Sequence, residues 1–319
     1  MANMTRRQIM SAASVCAIGL PIAGCSYAMW RPLAEIDQAP TNPPPVTVRL
    51  SARITLHMIQ TGWVSVKETH RAYSGPKGLR LPAIMTDGDW TEWLPVTAWA
   101  LEHPEGLFVV DTGETAAILK RDYTACDAVT GLFYRRNLRF SLTAQDEIGP
   151  QMKALGLAPE RVSKVVMTHL HSDHMGGMGW FKQAQFFVSQ QAQGGHAGAL
   201  MCRIPEGIDI RAVRLAETAR GVFNASSPLT TDGTVSIIPT NGHANGHQSV
   251  LIEGEGRSWL IAGDAAFSLD QIENGTIAGI VEDHAAAVET SNRLKAQYQQ
   301  FGTTILPTHD ATNMQRLIG

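Results

Sequence analysis

The sequence is short of long apolar runs and of charge of either sign. Its most apolar N-terminal stretch, residues 11–24, has 14 residues, which is too few to cross a bilayer comfortably. Charged residues make up 17% of the chain, the formal net charge is −3, and no basic run or basic helix pattern occurs, so nucleic acid is not an expected partner. Hydrophobic residues are 44% of 319, which is enough for the core of a soluble globular protein.

The N-terminus has the composition of an export signal. Arg6 and Arg7 precede the apolar stretch, which ends at Ile22-Ala23-Gly24-Cys25. This ending resembles a bacterial lipobox, in which the cysteine is acylated, and residues 5–10 resemble a twin-arginine signal. We therefore expect an exported protein, either periplasmic or membrane-anchored through lipid on Cys25, with no other membrane contact.

Three segments follow from this signal. Residues 1–25 are predicted to be the signal peptide, residues 26–50 a proline-rich linker, and residues 51–319 the folded domain. The chain has only four cysteines, and two of them, Cys16 and Cys25, belong to the signal. Cys126 and Cys202 could pair in an oxidising compartment or stay free, and their spacing does not decide between these alternatives.

Beyond the linker, strand-like and helix-like segments alternate, and no clear internal repeat is present. Two helices are indicated, one by a capping-box pattern at Thr143–Asp146 and one by Leu294, Tyr298 and Phe301 at helical spacing before Gly302. Such alternation predicts an α/β or α+β layered protein. The predicted strands are RITLHMIQTGWVSV, GLFVVDTG, VSKVVMTH, AQFFVS, TVSIIPT, SVLIEG, SWLIAGD and TTILPTH.

A cluster of potential metal ligands follows the predicted strand VSKVVM. The sequence THLHSDHMGG places His169, His171, Asp173 and His174 within six positions. In an extended segment, residues two apart point to the same side, and a turn at the glycines can bring His174 to the others. Imidazole and carboxylate ligands suit zinc and similar ions, and these ligand types are typical of catalytic rather than structural sites. The cluster therefore predicts a metal site with room for two ions.

Further ligand candidates lie at the ends of later predicted strands. His247 lies in the glycine-rich turn NGHANGHQS, Asp264 ends SWLIAGD, and His309 ends TTILPTHD. Each alone could be an ordinary turn or capping residue. Their common position at strand ends, where catalytic residues of layered folds often lie, favours a shared site.

Taken together, THLHSDHMGG, GHANGHQS, LIAGD and PTHD resemble the metallo-beta-lactamase superfamily of metal-dependent hydrolases. The resemblance extends from about Ser51 to the C-terminus and includes GLFVVDTG, and it is closest to the N-acyl homoserine lactonases. It implies an αββα sandwich, with two mixed sheets flanked by helices. It also implies that one metal is held by His169, His171 and His247, the other by Asp173, His174 and His309, and that Asp264 bridges them.

The resemblance leaves other histidines without a ligand role. His243, in the same turn as His247, is expected to be structural or to support a ligand. No site role is expected for the remaining histidines, apart from a weak substrate contact for His284; they are His57, His70, His103, His196 and His284.

The implied chemistry is hydrolysis of a lactone or related ester. Two divalent cations, zinc or else Mn, Fe or Co, can share a water, lower its pKa toward neutrality and so provide a hydroxide nucleophile. Asp173 is the candidate for a second role as proton donor to the leaving group. Phe267 is a candidate substrate contact, but it stands where these lactonases usually have tyrosine, and a phenyl ring cannot donate a hydrogen bond.

This departure keeps alternatives open. Another esterase or a phosphotriesterase of the same fold fits the ligand pattern, and so does an exported metal-containing lipoprotein that binds a ligand without turnover. A true beta-lactamase is disfavoured because such enzymes usually lack an aspartate at the position of Asp264, and a diiron oxidoreductase is disfavoured because it usually has an acid in place of His171. The export signal and the acidic charge disfavour RNA-processing relatives and thioester hydrolases that act on intracellular thiols.

Overall fold

The computed structural model describes residues 38–120 and 122–319, and within these ranges thirteen strands form two mixed sheets. The first sheet has the order β1-β2-β3-β4-β6-β7-β8, with β5 paired to β2, and the second has the order β13-β12-β11-β10-β9. The strands are β1 Val46–Arg49, β2 Thr55–Val66, β3 Leu94–His103, β4 Gly106–Val110, β5 Leu138–Ser141, β6 Val162–Val166, β7 Gln185–Ser189, β8 Asp209–Val213, β9 Ser227–Pro228, β10 Val235–Pro239, β11 Gln248–Gly254, β12 Arg257–Gly263 and β13 Thr304–Pro307.

Helices cover the outer faces of both sheets, alongside several short 3₁₀ turns. In the described residues the longest helix, His284–Phe301, ends at Gly302, whose φ of 61° suits a residue without a side chain. No helix in these residues is both long and apolar enough to cross a membrane. The helices are α1 Glu68–Arg71, α2 Arg80–Thr86, α3 Ala128–Asn137, α4 Ile148–Ala154, α5 Ser172–Met175, α6 Leu269–Asn274, α7 His284–Phe301 and α8 Asn313–Ile318.

Three apolar layers hold these elements together. The central layer lies between the sheets, where Trp99 of β3 and Trp259 of β12 belong to one buried cluster. On the outer face of the first sheet, Met152 of α4 packs in a second cluster, and on the outer face of the second sheet, Leu294 of α7 packs in a third. Burial of such side chains stabilises each by about 1.5–3 kcal/mol. The layers are helix, sheet, sheet and helix, which confirms the predicted αββα sandwich.

All eight strands predicted from the sequence are present, and so are both helices, with differences in detail. Thr143 does bond to Asp146, but this pair closes a turn, and helix α4 begins afterwards at Ile148 with Glu147 as its N-cap. Phe301, predicted on the apolar face of α7, is 53% exposed because it is the last residue of the helix.

The segment boundaries predicted for the N-terminus are only partly visible. The predicted signal peptide, with Arg6, Arg7 and Cys25, lies outside the described residues. Strand β1 lies inside the segment predicted as linker, because Val46–Arg49 pairs antiparallel with β2. The sheet therefore starts before residue 51.

Candidate metal centre

The loop after β6 carries the histidine cluster and is fixed near its start, at Thr168. Asp111, directly after β4, accepts the Thr168 N–H at 2.7 Å with one oxygen and the Thr168 hydroxyl at 2.8 Å with the other. Strands β4 and β6 are parallel neighbours, so their carboxyl ends meet at one edge of the sheet. The one-turn helix α5 then turns His174 back toward this edge.

Side chains from four loops converge here. Within the described residues, three groups have ligand atoms that all lie within 4.8 Å of one another, which is close enough for each group to hold a metal ion. The groups share members and so form one continuous cluster. They are His169, His171 and His243; His169, His174 and Asp264; and Asp173, His174 and His309.

In the first group, three imidazole nitrogens face each other. His169 Nε2 and His243 Nε2 lie 2.9 and 3.0 Å from His171 Nδ1. His171 Nε2 must carry its proton, because its partner at 3.0 Å is the Ala197 carbonyl oxygen, so His171 Nδ1 is a lone pair. The Thr168 hydroxyl donates to Asp111 and therefore accepts from His169 Nδ1 at 3.1 Å. His169 Nε2 is thus also a lone pair, and a cation between these nitrogens would satisfy both.

The third group, Asp173, His174 and His309, has a similar arrangement that includes a carboxylate. His174 Nδ1 donates to Asp111 at 2.8 Å, and His309 Nδ1 donates to the Pro95 carbonyl at 2.8 Å, so each ring, in its neutral form, would direct an Nε2 lone pair toward the cluster. His309 Nε2 lies 3.4 Å from Asp173 Oδ2. Metal-binding histidines commonly have the other ring nitrogen held in this way by a carboxylate or carbonyl.

Asp264 lies between the first and third groups. Its Oδ1 is 3.3 Å from His174 Nε2, and its Oδ2 is 3.2 Å from His309 Nε2 and 3.7 Å from His243 Nε2. Asp264 Oδ1 and His174 Nε2 are buried without a hydrogen-bond partner in the described residues. Buried polar atoms normally have partners, so these two fit a site that receives an ion.

The pKa values of the histidines differ between the first and third groups. Burial, followed by the neighbouring imidazoles, lowers the pKa of His169 and His171 well below 6.5, which keeps both rings neutral and able to bind a cation. Burial opposes charge at His174 too, but the carboxylates of Asp264, Asp111 and Asp173 outweigh it and raise the pKa of His174 well above 6.5. The carboxylates around His174 therefore favour a positive charge beside them, which divalent cations would supply.

The geometry favours His243 over His247 as a candidate ligand, opposite to the prediction from the sequence. Both ring nitrogens of His247 are already engaged, Nδ1 with the Thr240 hydroxyl at 2.9 Å and Nε2 with the Asp264 N–H at 3.1 Å. His247 therefore fixes the backbone of Asp264, and it belongs to none of the three groups. His243 lies in the first group instead, because Gly242, at φ 134° and against Ala287, directs the chain inward there. The other six predicted ligands are brought together: His169, His171, Asp173, His174, Asp264 and His309.

Phe267 lies beside this cluster. Its ring centroid is 4.9 Å from that of His309 and 6.2 Å from that of His243, so it forms a wall beside the first and third groups. The predicted substrate contact at Phe267 stays a prediction, although its position suits one.

The histidines given no ligand role lie elsewhere or support the loops. His57 bonds to Thr47 and Glu102 on the first sheet, and His103 bonds to Thr234. His196 accepts the Leu170 N–H at 2.8 Å and so holds the loop between two candidate ligands. His284 is half-buried and begins α7.

Asp111 and Thr168 support the candidate ligands, but no sequence pattern indicated this role. Asp111 ends the quoted strand GLFVVDTG, but only the pairing of β4 with β6 brings it to the histidine loop. Its φ of 55°, uncommon for a residue with a side chain, marks a position held by its contacts.

The structure decides the question left open about the two remaining cysteines. Cys126 and Cys202 form a disulfide with their Cα atoms 6.2 Å apart. The bond ties the loop before α3 to the segment that contains Ala197, the partner of His171.

Comparison with known proteins agrees with this fold. A family model described as the metallo-beta-lactamase superfamily matches residues 91–309. N-acyl homoserine lactonase AttM of Rhizobium radiobacter is 26% identical over 270 residues, which are 81% of this chain and 93% of that protein. The chain therefore belongs to the metallo-beta-lactamase superfamily.

Solved structures show the same fold. An N-acyl homoserine lactone hydrolase, determined with N-hexanoyl-L-homoserine at its catalytic metal centre, has a TM-score of 0.66 and 22% identity, covering 83% of this chain and 96% of that one. AidC, a dizinc quorum-quenching lactonase, has a TM-score of 0.58 and 13% identity, covering 84% of this chain and 91% of that one.

Proposed function

We propose that this protein is a metal-dependent hydrolase that opens the ring of N-acyl homoserine lactones or of closely related lactones and esters. The observation that carries the proposal is the convergence, from loops of both sheets, of His169, His171, His243, Asp173, His174, Asp264 and His309. The curated relative AttM is named as an N-acyl homoserine lactonase, which supports the lactone as substrate class.

The cluster has the ligand types and number for two divalent cations, zinc being the ion that His and Asp ligands favour, with Mn, Fe or Co also accepted. In this proposal His169, His171 and His243 would hold one cation, Asp173, His174 and His309 would hold the other, and Asp264 would be available to either. When bound, such a pair lowers the pKa of a shared water and polarises a carbonyl oxygen, which is what lactone hydrolysis requires. The protein named as dizinc among the structural neighbours supports this ion choice.

Neighbouring groups fix the orientation of the candidate ligand side chains. Asp111 and the Pro95 carbonyl fix the rings of His174 and His309, and the Ala197 carbonyl fixes that of His171. Asp173 is mostly buried beside His309, and we assign it the transfer of the proton released by the attacking water to the ring oxygen as the bond of that oxygen to the carbonyl carbon breaks.

A second candidate is an esterase or phosphotriesterase with the same site. Phe267 favours it, because the ring beside His309 offers no hydrogen-bond donor to a lactone carbonyl. A lipoprotein that keeps the metals without turnover is the third reading. Hydrolysis tests separate the three.

Export is part of the proposal. The signal-like N-terminus predicts a periplasmic or lipid-anchored protein, and the Cys126–Cys202 disulfide supports it, because disulfides persist mainly in oxidising compartments. Mass spectrometry of the mature N-terminus would test cleavage before Cys25 and lipid attachment there.

The decisive experiment measures metal content of the mature protein and then its hydrolytic activity. The substrates are acyl-homoserine lactones with short and long chains, γ-butyrolactone, an aryl ester and a phosphotriester. We expect about two metal ions per chain and lactone opening that stops on chelation. Activity on the ester or phosphotriester alone would select the second candidate, metal without any turnover would select the third, and a chain that binds no metal would overturn the site.

A further inference from the structure

The wall of the site beside the candidate metal centre is aromatic and has no polar group of its own. Phe267 contacts His309 and His243 edge-on or tilted, and its backbone N–H is already used by Gln271. An acyl-homoserine lactone bound against this wall would bring an amide carbonyl with it. That oxygen loses its hydration on binding and needs a donor from the protein.

His70 is placed to be this donor. It lies in α1, is only 6% exposed, and its ring packs between Phe267 and Phe133, with centroid distances of 6.2 and 6.0 Å. Its Nδ1 is buried and has no hydrogen-bond partner in the described residues. A buried ring nitrogen without a partner is costly, by about 1–3 kcal/mol, and is therefore uncommon unless a ligand supplies the partner.

The position of His70 is tied to the candidate metal centre through the backbone. The His70 carbonyl accepts the N–H groups of Gly279 and Ile280 at 2.9 and 3.2 Å. The same segment continues to Glu282, whose N–H bonds to the His243 carbonyl at 3.1 Å. His70 and His243 are thus held by one short stretch of chain, which fixes the distance between the ring and the metal ligands.

The imidazole is in the correct state to donate a neutral hydrogen bond. Burial, followed by the nearby His243, lowers the pKa of His70 to about 3. The ring is therefore neutral near pH 7, with one N–H donor and one acceptor nitrogen. A single polar group between apolar rings is the usual way in which a pocket orients a mostly apolar ligand.

We propose that His70 is a specificity-determining residue that donates a hydrogen bond to the amide carbonyl of the acyl chain. The amide, rather than the lactone carbonyl, is the expected partner because Phe267 contacts the candidate ligands His309 and His243, whereas His70 contacts Phe267 and belongs to none of the three ligand groups. The proposal rests on the proposed function and adds the part of the substrate that selects acyl-homoserine lactones over simple lactones.

The test compares substrates with and without the amide. In the His70→Phe variant, we expect kcat/KM for N-hexanoyl homoserine lactone to fall about tenfold to a hundredfold, mainly through KM. Opening of γ-butyrolactone, which has no amide, should change less than about twofold. His70→Gln, which keeps an N–H donor, should retain more of the selectivity, and His57→Phe, at a histidine that bonds to Thr47 and Glu102 on the first sheet, is the matched control.

A readout independent of turnover accompanies the kinetics. The affinity of the metal-loaded protein for N-hexanoyl-homoserine, measured by calorimetry, should weaken in His70→Phe by a similar factor, while metal content and thermal unfolding stay as in the wild type. Equal losses for both lactones, or no loss for either, would overturn the proposal. If the wild type opens no acyl-homoserine lactone, the proposed function fails, and the calorimetric comparison still decides the role of His70.

Discussion

Asp111 Oδ2 lies 2.8 Å from His174 Nδ1, and the same carboxylate also accepts both the N–H and the hydroxyl of Thr168. Three donors from the loop after β6 therefore converge on one side chain at the end of β4. This contact fixes which nitrogen of His174 faces Asp264, and it sets the start of the ligand loop. Ligand geometry at the candidate metal centre thus depends on a residue that is not itself a ligand.

Asp111→Asn should weaken metal binding. The amide group replaces one acceptor oxygen with a donor, which cannot accept from His174 or from Thr168. Loss of such a supporting contact typically costs about tenfold to a hundredfold in metal affinity. Metal retained during titration with a chelator measures the change, with the exposed Asp270→Asn as control. Unchanged retention in Asp111→Asn would show that Thr168 and His174 hold their positions without the carboxylate.

The two histidines of the glycine-rich turn should respond differently to substitution. His243→Ala should bind about one metal fewer per chain, since its Nε2 faces His171 and Asp264. His247→Ala should leave metal content near the wild-type value but lower stability by about 1–3 kcal/mol, because it removes the partners of Thr240 and of the Asp264 N–H. Elemental analysis and thermal unfolding separate the effects, and the reverse pattern would restore the assignment predicted from the sequence.

The roles of His243 and His247 show how far the candidate site could be predicted from the sequence. Six residues of the candidate cluster were predicted because they lie in a compact motif or directly at strand ends, where period-two patterns are clear. The choice between His243 and His247 depends on backbone geometry: the positive φ of Gly242 turns His243 inward, while His247 bonds back to β12. Two histidines four positions apart in a loop give no pattern that distinguishes these directions.

Supporting residues were harder to predict for a related reason. Asp111 and Thr168 are 57 positions apart and meet only through parallel pairing of β4 with β6. His70 follows a predicted strand without any motif, and its closeness to Phe267 arises from the contact of α1 with the segment after α6. Strand patterns therefore predict the layers well, whereas contacts between distant loops require the folded chain.

The buried side chain of Glu114 should make the stability of the folded protein depend on pH. Its side chain is fully buried, its Oε1 accepts the Thr115 N–H at 2.8 Å, and its Oε2 has no partner in the described residues. Burial raises the pKa of Glu114 to about 8, against about 4.3 in an unfolded chain. The folded state binds the proton more tightly, so the stabilising contribution is complete below about pH 4.3 and is lost as the pH rises through about 8.

Glu114→Gln should remove this dependence. The amide keeps an acceptor for Thr115 and cannot ionise, so we expect a gain of about 1–3 kcal/mol over the wild type at pH 8 and little difference at pH 5. Urea unfolding of the chelated protein at both values measures it, because bound cations would add their own charge. The exposed Glu206→Gln is the control. Parallel pH profiles for the wild type and Glu114→Gln would contradict the expectation.

The disulfide should contribute to stability by restricting the unfolded chain. It closes a loop between residues 76 apart in sequence, for which chain entropy gives about 4 kcal/mol. Reductant should therefore lower the unfolding midpoint of the mature wild type, and Cys126→Ser with Cys202→Ser should show the lower midpoint with no response to reductant. If the reduced and oxidised wild type unfold alike, the bond does not limit the unfolded state.

Asp173 is the residue whose proposed proton transfer can be separated from metal binding. Asp173→Asn should retain measurable metal, since His174 and His309 remain, yet lose about a hundredfold or more in the rate of lactone opening. A 4-nitrophenyl ester, whose leaving group needs no proton, should lose far less at equal metal content. Equal losses for both substrates would assign Asp173 to the metal alone, because a proton donor matters only where the departing oxygen is strongly basic. Lactone opening at the wild-type rate, with metals retained, would remove the proposed role altogether.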